Sequence, residues 1–239
     1  VDALVSIISD HGGEVLTNAD VAKVLVKKNK AYGVKLSNGQ IFESKRAVLA
    51  STTPQYLYQE LLSEVPISNE IKTAADNFRY GRAAIQIHLA LSEPPVWVND
   101  PRMKDVAVVH VLDGVGSLSE SVNASNRGLL PARPTIVVGQ PCAVDPSRAP
   151  EGKSIIWIQL QENPQVIIGD LAKQINIGNG EWNPTVLNAY TDRIIDQLSE
   201  QITNLKSATL AKIVLGPREI EAMNSKALAR IMRNLMNST

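Results

Sequence analysis

The sequence predicts an α+β fold, in which a mixed and largely antiparallel sheet carries helices on one of its faces. Three patterns predict this class. Apolar and polar residues alternate over Ala84–Leu91, the dipeptide Asn38-Gly39 is a strong hairpin signal, and an amphipathic helix is expected to begin at Asn183-Pro184. Because hairpins are interspersed with helices, the chain does not follow the strict β-α-β winding of a parallel sheet.

The first part of the chain predicts a helix followed by short strands. Apolar residues recur at helical spacing until Gly12-Gly13, which ends the predicted helix. Ala47–Ala50 is a short apolar run that predicts a strand covered on both faces. The strands expected before it are Glu14–Thr17, Val21–Lys27, Tyr32–Leu36 and Gln40–Glu43.

The rest of the chain alternates between predicted helices and strands. Pro54 and Ser68 precede two helices over about 55–62 and about 69–77, and Ser68 is expected to cap the second of them. Further helices are predicted over about 117–125, from Asn183-Pro184 to about 202, and over about 217–236. The predicted strands are Ala84–Leu91, Val106–Leu112, Thr135–Val138, Ser154–Leu160 and Leu210–Leu215.

The composition limits the classes of partner. The 239 residues include 24 Lys plus Arg and 24 Asp plus Glu, so no net charge attracts nucleic acid, and we expect no nucleic-acid partner. No run of about 18 apolar residues occurs, so no transmembrane segment is expected. Cys142 is the single cysteine, which excludes an internal disulfide and favours a reducing compartment. We therefore expect a cytoplasmic location.

No motif of the sequence predicts a metal or a nucleophile. The three histidines are scattered and do not supply the clustered ligands that zinc needs, so we expect no metal site. Gly114-x-Gly116-x-x-Ser119 lacks the third glycine of a dinucleotide loop and is interpreted as a turn entering a helix. Cys142 has no base or cation beside it in sequence, and we expect an unreactive thiol. The catalytic residues therefore remain unknown.

The polar side of the strand Ala84–Leu91 carries the two candidate ligand-binding residues, Gln86 and His88. If that face lines a cavity, both side chains could contact a substrate. The alternative is an ordinary half-exposed sheet face. The three tryptophans, Trp97, Trp157 and Trp182, either line an apolar pocket or fill the core.

Four segments, in this order along the chain, resemble one family of enzymes. They are GGEVLTNADVAKVLV with AYGVKLSNG over 12–39, AVLASTTP over 47–54, DPSRAPEGK over 145–153, and GPREIEAMN over 216–224. Together they are similar to the phytoene-desaturase-like branch of the FAD-dependent, NAD(P)-binding amine-oxidoreductase family.

The resemblance implies a division into three parts. Residues 1–54 would be a β-meander from the middle of a discontinuous FAD-binding domain, residues 55–215 a substrate-binding domain, and residues 216–239 a helical tail. The implied cofactor contacts are Val21, Ser51 and Thr52, and Gln86 and His88 would line the substrate pocket.

The resemblance also implies an activity, namely hydride transfer from a C–H, C–C or C–N bond of a small apolar or amine-bearing substrate to FAD. The sequence has no G-x-G-x-x-G fingerprint for the pyrophosphate. We therefore expect an incomplete portion of such an enzyme, inactive and without bound FAD when alone. We also expect that the remnant of the FAD domain exposes apolar surface and favours self-association. The alternative is a flavin-free binding or interaction domain derived from the same scaffold.

Overall fold

The computed structural model describes residues 1–223, which divide into two compact units. The first unit is Val1–Tyr80, and the second begins at Gly81. The boundary expected after residue 54 falls inside the first unit. Each unit has its own sheet.

The first unit contains a three-stranded antiparallel meander between helices. The strands lie in the order β1-β2-β3, and the turn between β2 and β3 places Gly39 at a φ of +91°, as the Asn38-Gly39 hairpin predicts. Ser68 caps α2, because its hydroxyl accepts a hydrogen bond from the Ile71 N–H at 3.3 Å. The elements are α1 (Asp2–Asp10), β1 (Val21–Lys27), β2 (Lys30–Leu36), β3 (Ile41–Glu43), a π-helical segment (Tyr56–Leu61) and α2 (Asn69–Asp76).

Two of the strands predicted for the first unit are wrong. Glu14–Thr17 and Ala47–Ala50 both lack strand structure, and the Leu49 side chain is 94% exposed. No strand within residues 1–223 pairs with either segment. A short apolar run forms a strand only where a neighbouring strand accepts its backbone hydrogen bonds, and these segments have none.

The second unit is built on a five-stranded sheet in the order β10-β4-β8-β7-β5, with every neighbouring pair antiparallel. This arrangement confirms the predicted fold class. A separate parallel pair joins β6 to β9. The strands are β4 (Ala83–Leu91), β5 (Val108–Val111), β6 (Leu129–Leu130), β7 (Ile136–Gly139), β8 (Ser154–Asn163), β9 (Gly169–Asp170) and β10 (Thr209–Leu215). The helices are α3 (Val115–Asn126), α4 (Pro184–Ser199), α5 (Leu205–Ala208) and α6 (Pro217–Met223).

One face of this sheet forms the core together with α4. Ile87 and Ile158 are opposite each other in neighbouring strands and are fully buried, and Tyr190, Ile194 and Leu198 of α4 belong to the same cluster. Burying each of these side chains contributes roughly 1.5–3 kcal/mol. The core therefore fixes which face of the sheet is covered by helix, and the alternation along β4 and β8 leaves every second residue on the other face.

Helix α4 begins where the sequence predicts. Pro184 occupies the first helical position, and the Asn183 Oδ1 accepts a hydrogen bond from the Val186 N–H at 3.0 Å. The last predicted helix begins at Pro217, as expected, and is described as far as Met223. The remainder of the predicted tail, which includes Leu228, Ile231 and Leu235, lies outside the described residues.

Candidate functional site

The second face of the five-stranded sheet, opposite the core, carries two rows of side chains that cross all five strands. The pairing of the strands sets both rows. One row is Ile213, His88, Trp157, Gly139 and Val108, and the next is Leu215, Gln86, Gln159, Val137 and His110. Side chains of directly opposed residues lie on the same face of a sheet, so these ten positions form one continuous surface, which we call the second face.

The centre of the second face has hydrogen-bonding groups that the protein does not use. Gln86, His88, Trp157 and Gln159 are all half-buried. Among residues 1–223, none forms a hydrogen bond with these four side chains. Buried polar groups normally have partners, so partly buried donors and acceptors that remain unpaired are available to water or to a ligand.

The Trp157 indole lies over Gly139 of the neighbouring strand, and the absence of a side chain there makes this possible. A Cβ atom placed on Gly139 would come within 1.8 Å of Cε2 of the Trp157 indole. Only a glycine at this position lets the ring lie across β7. The arrangement adds an indole ring to the second face, beside the polar groups of Gln86, His88 and Gln159.

The second face carries no Asp, Glu, Lys or Arg in either row. It therefore has no strong electrostatic preference for a charged ligand. The indole plane and aliphatic side chains can contact an apolar molecule, while two amides and an imidazole can orient a polar group on it. The surface suits binding and positioning of a ligand.

The structure places the predicted substrate residues Gln86 and His88 on the second face, two residues apart on β4. Sequence reasoning did not select Gln159, although it is directly opposite Gln86 in β8. The alternation over Ser154–Leu160 could have shown that Gln159 lies on the polar side of β8. The pairing of β4 with β8 could not be deduced from either strand alone.

The predicted cofactor residues lie in the first unit. Val21 is half-buried at the start of β1 and is opposite Leu36 of β2. Ser51 and Thr52 are exposed, in a segment without regular structure. Strand β1 has one neighbour, β2, in the described part of the chain, so one of its edges presents backbone groups that no strand pairs.

The remaining sequence candidates have structural roles. Trp97 and Trp182 are buried, and their indole N–H groups donate to Gln140 Oε1 at 3.0 Å and to the Pro164 carbonyl at 2.9 Å. Gly114 precedes α3 with a φ of +95°, so its motif forms a turn into a helix.

A buried ion pair between β9 and α4 was not predicted. Asp170 accepts hydrogen bonds from the Arg193 guanidinium at 3.0 Å and from the N–H groups of Gln174 and Ile175 at 2.8 and 2.9 Å. Burial alone would raise the pKa of Asp170, but these hydrogen bonds outweigh it and hold the pKa below its usual value. The Arg193 guanidinium also lies 5.0 Å from the centre of the Tyr190 ring.

Two further buried groups have raised pKa values. Burial raises the pKa of the Glu162 carboxyl, and the hydrogen bond from the Thr135 N–H at 3.2 Å offsets this only in part. Burial also raises the pKa of the Tyr190 hydroxyl. Both groups belong to the interior of the second unit and not to the second face.

Neither a metal-binding cluster nor a membrane-crossing helix occurs in the part of the chain that the structure describes. No group of three or more His, Cys, Asp or Glu within residues 1–223 is arranged to hold a metal ion. Over the same residues, no helix combines the length and the apolar character needed to cross a membrane.

Comparisons with known proteins identify relatives over almost the whole chain. No family model matches the sequence. The chain is 24% identical over 229 residues to the pyridine nucleotide-disulfide oxidoreductase domain-containing protein 2 of Mus musculus. This alignment covers 92% of the chain and 38% of the mouse protein. It is also 25% identical over 222 residues to a lycopene-forming phytoene desaturase of Paracoccus sp. That alignment covers 92% of the chain and 40% of the desaturase.

A solved structure shows the same fold. The oxidoreductase from Methanosarcina mazei superposes with a TM-score of 0.51 at 19% identity, over 90% of this chain and 41% of the other. The chain thus spans about two fifths of the length of the proteins that it matches. With the four motif segments in their expected order, these similarities make the chain a relative of the phytoene-desaturase-like oxidoreductases.

Proposed function

We propose that the chain forms the substrate-binding portion of an FAD-dependent oxidoreductase, in which the second face holds a neutral, largely apolar substrate. The observation that carries the proposal is the second face itself. It combines an indole plane, unused amide and imidazole groups, and no formal charge over two rows of paired residues. The enzyme would transfer a hydride from a C–H, C–C or C–N bond to flavin, in the cytoplasm.

The polar groups of the second face support orientation of the substrate. Gln86 and Gln159 lie opposite each other, and His88 lies opposite Trp157. An apolar substrate resting on the indole would bring any polar group on it within reach of these side chains. A substrate without a matching polar group would leave them unsatisfied, which disfavours its binding.

The residues of this chain fit only part of an FAD molecule. The free edge of β1 beside Val21 offers backbone groups of the kind that contact an adenine ring. A pyrophosphate needs a glycine-rich turn at a helix N-terminus, and the G-x-G-x-x-G pattern does not occur in the sequence. We therefore assign the pyrophosphate to residues other than these, and no catalytic step to a residue of this chain.

A binding experiment tests the role of the second face. The probe is all-trans-retinol, a conjugated apolar alcohol, and its dissociation constant is measured from its change in fluorescence. Substitution Trp157→Ala should weaken binding by roughly 5-fold to 150-fold, since it removes about 1–3 kcal/mol of apolar contact. Gln86→Leu should weaken binding of retinol more than binding of the corresponding hydrocarbon.

The matched control is Val115→Ser, which changes an 82% exposed apolar residue that belongs to α3 and not to the second face. Its retinol affinity should equal that of the unmodified chain. Equal losses in Trp157→Ala and Val115→Ser, or no retinol binding by the unmodified chain, would refute the proposed site.

A second experiment distinguishes the flavoenzyme proposal from a flavin-free binding domain. The purified chain should be colourless, without flavin absorbance near 450 nm. Supplying a separately expressed dinucleotide-binding portion of a relative, together with FAD, should restore bound flavin. Stoichiometric FAD on the chain alone would contradict the assignment of the pyrophosphate, and no flavin in the mixture would favour the flavin-free domain.

The first unit supports a proposal of self-association. Leu4, Ile7 and Ile8 of α1 are 67%, 54% and 44% exposed, and α1 contains no buried residue. An apolar helix face of this kind favours contact with another molecule. Sedimentation velocity should show concentration-dependent dimers of the chain, and Ile7→Glu should abolish them. A monomer at every concentration would contradict the proposal.

A further inference from the structure

A cavity of about 330 Å³ lies in the second unit at the end of the sheet where β7 stops and β8 begins. Ser154, the first residue of β8, lines it. Ser154 alternates in phase with Ile156 and Ile158 of the core face, whereas Trp157 points to the second face. The cavity is therefore separate from the proposed substrate surface.

The walls of the cavity are fixed by hydrogen bonds. Gln140 is 2% exposed, and its side-chain amide donates to the Met103 and Val106 carbonyls at 2.8 and 2.7 Å. In the loop that follows, Asp145 accepts hydrogen bonds from both the N–H and the hydroxyl of Ser147, at 3.2 and 2.6 Å. The cavity thus has a preformed shape, and its volume falls in the range of about 300–1,000 Å³ that is typical of small-molecule sites.

Two nucleophilic or polar groups line this cavity without a use in the fold. Ser154 is 5% exposed, and its hydroxyl has no hydrogen-bond partner among the described residues. Cys142 is half-buried and free, and although its neighbours in sequence predict an unreactive thiol, the fold adds Lys104 and Lys153 to the lining of the same cavity. The Ser154 hydroxyl is open to the cavity, where it is available to a ligand as a hydrogen-bond donor or acceptor.

The rim of the cavity carries both signs of charge. Among the residues that line it are Lys104, Asp105, Glu151 and Lys153. None of these four side chains forms an ion pair or a hydrogen bond with another described residue. The charges are therefore available to a ligand that itself carries carboxylates and an ammonium group.

We propose that this cavity binds a small thiol peptide with free carboxylates and an ammonium group, and that the peptide becomes attached to Cys142 as a mixed disulfide. Lys104 and Lys153 would bind the carboxylates of the peptide, and Asp105 or Glu151 its ammonium group. Ser154 would hydrogen-bond to its backbone. The assignment uses each otherwise unused group of the cavity.

The chemistry is thiol–disulfide exchange, with the disulfide form of the peptide as co-reactant. The Cys142 sulfur, as thiolate, attacks one sulfur of the peptide disulfide. A new S–S bond forms, the old S–S bond breaks, and one peptide leaves as its thiolate, which takes up a proton from solvent. No other oxidant is required.

The test uses the full chain, reduced and freed of reductant, with oxidised glutathione as the probe. Intact-mass spectrometry over time should show the addition of one glutathione, and peptide mapping should locate it on Cys142. Cys142→Ser should show no addition. The double variant Lys104→Ala/Lys153→Ala should react roughly 5-fold to 20-fold more slowly, since two ion pairs to the peptide are lost.

A neutral disulfide separates recognition from thiol reactivity. Bis(2-hydroxyethyl) disulfide has no charged group, so it should react at the same rate with the unmodified chain and with the double lysine variant. If both disulfides slow equally in the variant, the lysines act on the thiol and not on the peptide, and the proposed site is refuted. Absence of the glutathione adduct on the unmodified chain would refute it as well. Circular dichroism of the variant checks that it is folded.

Discussion

The ion pair between Asp170 and Arg193 provides the sharpest test of how the second unit is held together. The two side chains are 2% and 9% exposed, and the carboxylate also accepts hydrogen bonds from three backbone N–H groups of the loop after β9, those of Ala172, Gln174 and Ile175. Substitution Asp170→Ala removes the anion and leaves the guanidinium buried, with the Pro131 carbonyl at 3.1 Å as its one remaining hydrogen-bond acceptor among the described residues.

Removing one partner of a buried pair costs about 3–5 kcal/mol, because the other charge remains without compensation. Asp170→Ala should therefore lower the free energy of unfolding of the second unit by that amount. The matched control is Lys206→Ala, which breaks an exposed pair with Asp196 at 2.7 Å and should cost less than about 1 kcal/mol.

The same pair predicts a pH dependence. Because the pKa of folded Asp170 lies below the ordinary value of 3.8, its stabilising effect is complete above that value and is lost as the pH falls through the folded pKa. Asp170→Asn lacks this titration. The difference in stability between the unmodified chain and Asp170→Asn should be constant between about pH 5 and pH 7 and should shrink below about pH 4.

Urea unfolding followed by circular dichroism measures both effects, with the slope of the transition compared between variants. The two units can unfold separately, so tryptophan fluorescence identifies the transition of the second unit, which contains all three tryptophans. A loss below about 1 kcal/mol for Asp170→Ala, equal to that of Lys206→Ala, would show that the pair does not stabilise the unit.

Three further changes have definite expected outcomes, each measured by urea unfolding. Gly139→Val places side-chain atoms where the Trp157 indole lies, so it should destabilise the second unit by about 1–3 kcal/mol. An unchanged midpoint of urea unfolding would mean that the ring does not lie across β7. Glu162→Gln should be more stable than the unmodified chain at pH 7, and the difference should shrink toward pH 4. The reason is that a carboxyl whose folded pKa is raised destabilises the folded protein as the pH rises above the ordinary pKa of 4.5. A difference that stays constant with pH would exclude this titration. Asn183→Ala removes the hydrogen bond to the Val186 N–H and should cost about 1 kcal/mol, whereas the conservative Asn183→Asp should cost little.

Residues close together in the sequence were sufficient to predict the elements whose formation depends on near neighbours in the chain. The alternation over Ala84–Leu91 was sufficient for β4, since a half-buried strand needs one apolar face. Asn183-Pro184 was sufficient for the start of α4, since a cap and a proline act within one turn. The family resemblance depends on the four motif segments taken together. Their order along the chain is specific to the family, whereas a single segment is not.

Signals that depend on distant residues were not visible in the sequence. Ala47–Ala50 has the composition of a buried strand but lacks a neighbouring strand, and composition does not reveal neighbours. Asp170, the last residue of β9, meets Arg193 of α4 only through the fold, in which β9 pairs with β6. Gln159 joins the candidate site through the register of β8 against β4, which neither strand specifies alone.

The order β10-β4-β8-β7-β5 has a consequence for biosynthesis. Strand β4 is the first of the five to leave the ribosome, yet one of its two neighbours, β10, is the last. Until β10 emerges, the apolar β4 has an unpaired edge able to recruit strands from other nascent chains. Slow translation or truncation ahead of Thr209 should therefore yield aggregates rather than a smaller soluble domain, and chaperone binding during synthesis should last until that strand is made.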